Sequence, residues 1–226
     1  MYRMHRGCLP VEWLVVGPIE NNVYIIGDTD DCFVVDPSCY PERILAALAG
    51  RTPKAIVITH RHWDHTGAAA ALREATGAPV IASAVDAPLI EHPTEPRCIA
   101  CPVDVKVSHG DVVEIGSRGW RVILTPGHTQ GSMCLYIDPR LGSNPEGAPL
   151  LVSGDTLFCG CIGRTDFEGG SLDDMRHSLK RLAVLPDETI VLPGHNDLTY
   201  IGAERQRVFA HYALPDDEAE DVRAEG

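Results

Sequence analysis

Four apolar segments of this chain end in the same way, and that shared ending constrains the fold more than any other feature. Short apolar runs bounded by glycine or proline are typical of buried strands. Each of these runs leads into a side chain that can ligate a metal, and layered α/β folds gather their ligands at the carboxyl ends of strands. The four pairs are residues 55–59 with His60, residues 122–127 with His128, residues 150–154 with Asp155, and residues 189–194 with His195.

Segments of helical composition alternate with these strands. Glycine stands directly before His128, Asp155 and His195, where it permits the sharp turn that aims the side chain inward. Strands interleaved with helices predict sheets that are covered by helices on their outer faces. No linker long enough to separate two domains is present, so we expect one domain over residues 1–212 and an acidic, flexible tail over residues 213–226.

The segment after the first strand places three imidazoles and a carboxylate within six residues, namely His60, His62, Asp64 and His65. Imidazoles held close together repel one another when protonated, and they lack partners when buried and neutral. A divalent cation relieves both problems. Imidazole combined with carboxylate suits zinc, iron or manganese, so this segment predicts a metal site.

The candidate ligands are too numerous for one tetrahedral ion. They suit two ions about 3.5–4 Å apart that share a carboxylate. A water that bridges two such ions loses its proton near neutral pH, and the resulting hydroxide attacks a carbonyl that the ions polarise. The pattern therefore predicts a hydrolase with two divalent metal ions, for which zinc is our first choice. The candidate metal ligands are His60, His62, Asp64, His65, His128, Asp155 and His195.

These residues resemble the metallo-β-lactamase superfamily, whose HxHxDH motif corresponds to residues 60–65. The resemblance implies an α/β fold, an αββα sandwich of two mixed β-sheets with helices on the outer faces. It also implies one metal held by His60, His62 and His128, a second held by Asp64, His65 and His195, and Asp155 as the bridge. Asp64 and Asp155 are accordingly the candidate catalytic residues.

Within that superfamily the chain is most similar to the glyoxalase II group of thioester hydrolases. The resemblance is carried by residues 125–129, 153–158, 163–167 and 192–195. It implies cleavage of a small-molecule thioester of a glutathione-like thiol. Arg164 and Phe167 lie where this group often places substrate-contacting residues. The short segment after His195 does not match the helical glutathione-binding domain of that group, and Asn196 replaces a usual glycine, which leaves the thiol half of the substrate open.

The principal alternative is a persulfide dioxygenase of the same superfamily, which also shares the segment of residues 163–167. Enzymes of that kind use one iron held by residues that match His60, His128 and Asp155, a ligand set suited to iron and oxygen. The continuation of residues 155–158 favours the hydrolase. β-Lactam hydrolysis, nuclease activity and a non-catalytic binding role are weaker alternatives.

Charge and composition narrow the possible partners and location. The net charge of −13 argues against nucleic-acid binding, which needs a basic face. No apolar run approaches the length of a membrane span, and we find no export signal, so we expect a cytoplasmic protein without membrane or nucleic-acid partners. The eight cysteines are then expected to be reduced, with the Cys98–Cys101 pair more consistent with plain thiols than with a second metal site. The oligomeric state stays open.

Overall fold

Two mixed β-sheets pack face to face and carry helices on their outer surfaces, which confirms the predicted α/β sandwich. The structure is a computed structural model, and it describes residues 1–4, 9–141 and 147–213. One core cluster lies between the sheets, a second lies under the helices of the first sheet, and a third lies under the helices of the second sheet. None of the described helices has the length and apolar composition needed to cross a membrane.

The first sheet has its strands side by side in chain order. β1 to β4 pair antiparallel, whereas β4 to β7 pair parallel. The parallel half requires crossover connections, and helices supply them. The strands are β1 Tyr2–Met4, β2 Val11–Val16, β3 Asn21–Ile26, β4 Phe33–Val35, β5 Ile56–Val57, β6 Val80–Ser83 and β7 Val105–Val107.

The second sheet has the order β13-β12-β11-β10-β9-β8, and its neighbours pair antiparallel except for the parallel pair β11 and β12. Because β11 and β12 run in the same direction, the residues that follow them emerge at one edge of the sheet. The strands are β8 Val112–Ile115, β9 Arg118–Leu124, β10 Met133–Ile137, β11 Leu150–Gly154, β12 Ile190–Pro193 and β13 Thr199–Tyr200.

Helices cover the outer faces of both sheets. The chain ends its described part in a nearly continuous helical segment that contains one π-helical stretch, Arg205–Phe209, and a short 3-10 turn precedes β11 at Pro139–Leu141. The α-helices are α1 Pro41–Leu48, α2 Trp63–Thr66, α3 Ala69–Thr76, α4 Ala87–Glu91, α5 Leu172–Ala183, α6 Ile201–Glu204 and α7 Ala210–Tyr212.

Alternation of side chains along the strands explains the layers. Phe33 and Val35 of β4 point into the core between the sheets, while Val34 points to the helices outside. In β5, Val57 points into the core between the sheets and Ile56 points to the helices outside. A strand with both faces covered is apolar throughout rather than alternating, which is why these strands appear in the sequence as continuous apolar runs.

Some elements differ from the sequence prediction. Leu172, predicted on the buried face of α5, is 42% exposed, because it is the first residue of a helix that Ser171 caps at the surface through Asp174 N. The edge strands β1, β7 and β13 were not predicted, because each has exposed residues and none forms a continuous apolar run. The predicted tail lies outside the described residues from 214 onward, and the predicted domain limits stay a prediction.

Candidate metal centre

The carboxyl ends of strands from both sheets converge, and they bring the seven candidate ligands into one place. Two clusters are made up of these ligands alone, and a third group of possible ligands joins Asp36 to His60 and His65. In each cluster every ligand atom lies within 4.8 Å of the others. The first contains His60, His62 and His128, and the second contains Asp64, His65 and His195.

Asp155 stands between the two clusters. Its Oδ2 lies 3.5 Å from Nε2 of His128 in the first cluster and 3.5 Å from Nε2 of His195 in the second. Its Oδ1 lies 3.3 Å from Nε2 of His65. One carboxylate therefore reaches the donor atoms of both clusters, the position that a bridging ligand requires.

Backbone carbonyls fix which ring nitrogen faces the centre. Nδ1 of His128 lies 2.7 Å from the carbonyl oxygen of Arg164, and Nδ1 of His195 lies 3.0 Å from that of Ile19. A carbonyl oxygen only accepts hydrogen bonds, so each Nδ1 carries the proton and donates it. Each Nε2 is then free to ligate, as in metal sites where an outer partner orients the histidine.

Asp36 sets the orientation of two further histidines. Its Oδ2 accepts hydrogen bonds from Nδ1 of His65 at 2.9 Å and from the hydroxyl of Thr59 at 2.7 Å, and its Oδ1 accepts one from the amide of Thr59. The Thr59 hydroxyl oxygen, whose hydrogen is used on Asp36, lies 3.1 Å from Nδ1 of His60. His60 therefore donates from Nδ1, and Nε2 of both imidazoles faces the centre.

Electrostatics keeps two imidazoles of the first cluster neutral. Burial lowers the pKa of His60 well below its usual range, and His65 and His128 lower it further. Burial also lowers the pKa of His62 to about 3, with help from His128 and His65. Both imidazoles are therefore unprotonated at neutral pH, the form that binds a metal.

The second cluster favours a positive charge at its centre. Burial raises the pKa of Asp64 and Asp155, but His65 and further imidazoles beside them outweigh it and hold both pKa values below the usual range. Burial likewise lowers the pKa of His65, yet Asp155, Asp64 and Asp36 outweigh it and raise that pKa well above the usual range. Three carboxylates thus surround one position where positive charge is stabilised.

These donors fit divalent cations. Tetrahedral bonds of about 2.1 Å to nitrogen and oxygen place neighbouring ligand atoms about 3.4 Å apart. The distance from Oδ2 of Asp64 to Nε2 of His65, 3.2 Å, is close to this value. Nδ1 of His62 lies 2.8 Å from Nε2 of His128, a hydrogen-bond distance that ion binding would have to lengthen. Among the described residues, the buried Nε2 of His60 has no hydrogen-bond partner, which a metal bond would supply.

The glycines before the ligands serve two different purposes. Gly127 and Gly154 have φ values of 142° and 48°, so there the predicted sharp turn is the reason for glycine. Gly194 has no such φ. A Cβ at Gly194 would lie 2.6 Å from Cε1 of His65 and nearer still to Oδ1 of Asp155, so close packing of the ligands is the reason for that glycine.

Five of the seven candidate ligands, His62, Asp64, His128, Asp155 and His195, form the floor of a cavity of about 700 Å³. Arg164 and Phe167, the two residues predicted to contact the substrate, line this cavity. The Phe167 ring lies 5.5 Å from the ring of His62, and the Arg164 guanidinium lies 4.1 Å from the centre of the Phe167 ring. Whether either side chain contacts a substrate stays a prediction.

The side chains that support the ligands are not among the site residues predicted from the sequence. Asn21 donates to Oδ2 of Asp64 at 2.8 Å, and Asp36 holds His65. Asp86, which is 2% exposed, accepts the amide of Arg61 and so supports the loop between two ligands. Asp36 follows the apolar strand β4, the same signal that marks the ligands, so that pattern could have identified it.

Comparisons with known proteins agree with this site. Residues 16–195 match the Metallo-beta-lactamase superfamily, and the chain belongs to that superfamily of metal-binding, hydrolase-like enzymes. It is 32% identical over 212 residues to the probable metallo-hydrolase YqgX of Bacillus subtilis (strain 168), covering 85% of this chain and 92% of that protein. It is 36% identical over 182 residues to the hydroxyacylglutathione hydrolase of Pseudomonas entomophila (strain L48). That match covers 78% of this chain but only 62% of the hydrolase.

Solved structures show the same fold. BLEG-1, a B3 metallo-beta-lactamase, superposes with a TM-score of 0.79 at 32% identity, covering 88% of this chain and 98% of that one. TTHA1623 in a di-iron-bound form superposes with a TM-score of 0.72 at 33% identity, covering 87% of this chain and 98% of that one. ETHE1 from Myxococcus xanthus superposes with a TM-score of 0.71 at 32% identity, covering 90% of this chain and 84% of that one.

Proposed function

We propose that this chain is a hydrolase with two divalent metal ions that cleaves thioesters of glutathione-like thiols. The observation that carries the proposal is the pair of ligand clusters joined by Asp155 at the floor of a cavity large enough for a small-molecule substrate. Zinc is our first choice of metal, with iron and manganese as alternatives, because imidazole and carboxylate accept all three.

The first cluster would hold one ion and the second cluster would hold the other, and Asp155 would bind both ions. Bound together, such ions supply a hydroxide nucleophile at neutral pH and polarise the carbonyl under attack. Asn21 donates to Oδ2 of Asp64, the same oxygen that lies 3.2 Å from Nε2 of His65 and 3.3 Å from Nε2 of His195, and so holds that oxygen towards the second cluster. The apolar side chains of Phe158, Ile162 and Phe167 line the cavity and exclude water around a thioester. A thiolate leaves readily, so the chain needs no dedicated proton donor.

The choice of thioesters rests on similarity together with the cavity wall. The hydroxyacylglutathione hydrolase that this chain resembles acts, by its name, on an acyl derivative of glutathione. Because the chain spans only 62% of that enzyme, the shared activity is a proposal. The wall residues Arg164 and Phe167 occupy the segment that carries the resemblance, and both face the cavity.

A second candidate is the persulfide dioxygenase reaction with one iron held by His60, His128 and Asp155. The di-iron form of TTHA1623 supports iron as a metal in this fold. The complete second cluster of Asp64 and two imidazoles favours the hydrolase, since a reaction with a single iron does not require a second set of metal ligands.

Metal content and three assays on the purified protein separate these reactions. We expect two equivalents of metal by elemental analysis and hydrolysis of S-lactoylglutathione measured by thiol release. One equivalent of iron with oxygen uptake on glutathione persulfide would replace the proposal with the dioxygenase. A chromogenic cephalosporin tests the reaction of the B3 enzyme BLEG-1, and turnover of that compound without thioester cleavage would also contradict the proposal.

A further inference from the structure

Two guanidinium groups line the cavity above the ligands, and only one of them is already neutralised. Arg164 forms two hydrogen bonds to the Asp166 carboxylate, at 2.9 and 2.8 Å, and also stacks on the ring of Phe167. Its charge is balanced and its polar edge is occupied. Arg164 is therefore poorly placed to accept a further anionic group.

Arg97 is different. Its guanidinium carbon lies 5.4 Å from the centre of the Trp63 ring, and among the described residues no carboxylate lies within ion-pair distance of it. Stacking on an indole uses the flat face of a guanidinium and leaves the N–H groups at its edge free. The free edge is the part that binds a carboxylate with two parallel hydrogen bonds.

The position of Arg97 is tied to the metal-binding loop. Trp63 begins helix α2, directly between the ligands His62 and Asp64. Cys98, the neighbour of Arg97, donates its amide to the carbonyl of Glu95, and its Sγ lies 4.0 Å from the Arg61 carbonyl oxygen. The Arg97 charge is thus held at the cavity wall beside the reaction centre.

The outer wall of the cavity carries negative charge of its own. Glu95 and Glu168 line it in exposed positions, whereas the proposed metal ions would neutralise Asp64 and Asp155 at the floor. Two like charges a few ångströms apart near a protein surface repel each other by an energy of the order of a hydrogen bond. A substrate with a carboxylate remote from the scissile bond can therefore place that group favourably at Arg97, the lining guanidinium that has no ion-pair partner among the described residues.

We propose that Arg97, stacked on Trp63, binds a carboxylate of the substrate remote from the scissile bond, and that the enzyme consequently selects thioesters that carry such a carboxylate. This inference rests on the proposed thioesterase function and names its substrate class. The carboxylate belongs either to the thiol half or to the acyl half of the substrate, and the same guanidinium edge serves both.

Three synthetic thioesters test the proposal and distinguish the two sources. S-acetyl-3-mercaptopropionate carries the carboxylate on the thiol half, S-succinyl-N-acetylcysteamine carries it on the acyl half, and S-acetyl-N-acetylcysteamine is neutral. The variants are Arg97→Gln, which removes the charge, and Arg97→Lys, which keeps the charge but loses the flat fork. Arg43→Gln is the matched control, since Arg43 also lies over an aromatic ring, that of Tyr40 at 5.8 Å, but does not line the cavity.

We expect Arg97→Gln to raise the KM of one of the two charged thioesters about tenfold with kcat nearly unchanged, and to leave the neutral thioester unaffected. The substrate that responds identifies the half that carries the carboxylate. Arg97→Lys should recover part of the lost affinity, and Arg43→Gln should match the wild type on all three. Equal changes on charged and neutral thioesters, or no change on any, would overturn the role of Arg97.

A binding arm separates failure of this inference from failure of the proposed function. Each thioester has a thioether analogue in which a methylene replaces the carbonyl, and its dissociation constant is measured by calorimetry. If the wild type cleaves none of the thioesters, the proposed function fails. Weaker binding of a charged thioether to Arg97→Gln, about tenfold, would still support the carboxylate site, and equal binding of all three analogues to both proteins would reject it.

Discussion

Replacing Asp36 by asparagine should disable both ligand clusters without unfolding the protein. The substitution keeps the size of the side chain but converts Oδ2, which accepts from His65 Nδ1 and from the Thr59 hydroxyl, into an amide that donates. Nδ1 of His65 must then accept, so its proton moves to Nε2. The Thr59 hydroxyl becomes an acceptor from the amide and turns its own hydrogen towards Nδ1 of His60, 3.1 Å away.

The size of the expected loss of metal affinity follows from the two histidines that the substitution affects. His60 belongs to the first cluster and His65 to the second, and each now presents N–H where a lone pair is needed. Loss of an outer partner of a ligating histidine weakens metal binding about 10- to 100-fold, or about 1.4–2.7 kcal/mol at each site. Because every reversed hydrogen bond keeps a partner, the metal-free protein should lose at most about 1–2 kcal/mol of unfolding free energy.

Competition with a chelator of known affinity measures the dissociation constants of both metals in Asp36→Asn, and thermal unfolding of chelator-treated protein measures its stability. Asp28→Asn is the control, because it removes the same charge from an exposed position. Wild-type affinity at both sites in Asp36→Asn would refute the argument from hydrogen-bond direction. A large loss of stability in the metal-free protein would show that Asp36 acts on the fold instead.

Three further substitutions probe the site and the fold. Asp155→Ala should lower kcat at least about 1,000-fold and reduce the metal content, because both clusters lose a shared ligand; full activity with two metals would contradict the bridging role. Gly194→Ala should also lose metal, with an unchanged circular dichroism spectrum, because its Cβ would overlap the ligands; wild-type metal content would show that the loop adapts. Hydrogen bonds from Arg73 lower the pKa of Asp104 to about 2, so this carboxylate stabilises the fold above its unfolded pKa of about 3.9, and that contribution is lost as the pH falls towards 2. Asp104→Asn should therefore flatten the fall in thermal stability between about pH 4 and pH 2, and an unaltered slope would argue against the pair.

How much the sequence predicts depends on whether the signal is local. Buried strands such as β4 and β5 are apolar on both faces and appear as continuous runs, so their existence could be predicted within a few residues. Leu172 lay on the expected apolar face of α5 but stands exposed at the capped end. The helical period gives the face that is buried, and it does not give the point at which a helix emerges from the core.

The sequence by itself determined the candidate ligands, because each is a histidine or aspartate that directly follows an apolar strand or lies in the segment of residues 60–65. Only the tertiary structure decided which nitrogen of each ring faces the centre. It did so through contacts such as that of Asp36 with His65, 29 positions apart, and it also placed Asn21 against Asp64, 43 positions apart. Such hydrogen bonds depend on how the strands and loops of the first sheet pack side by side, and no local pattern in the sequence gives their pairing. For the same reason, the position of Arg97 over Trp63 emerged only when the chain was folded.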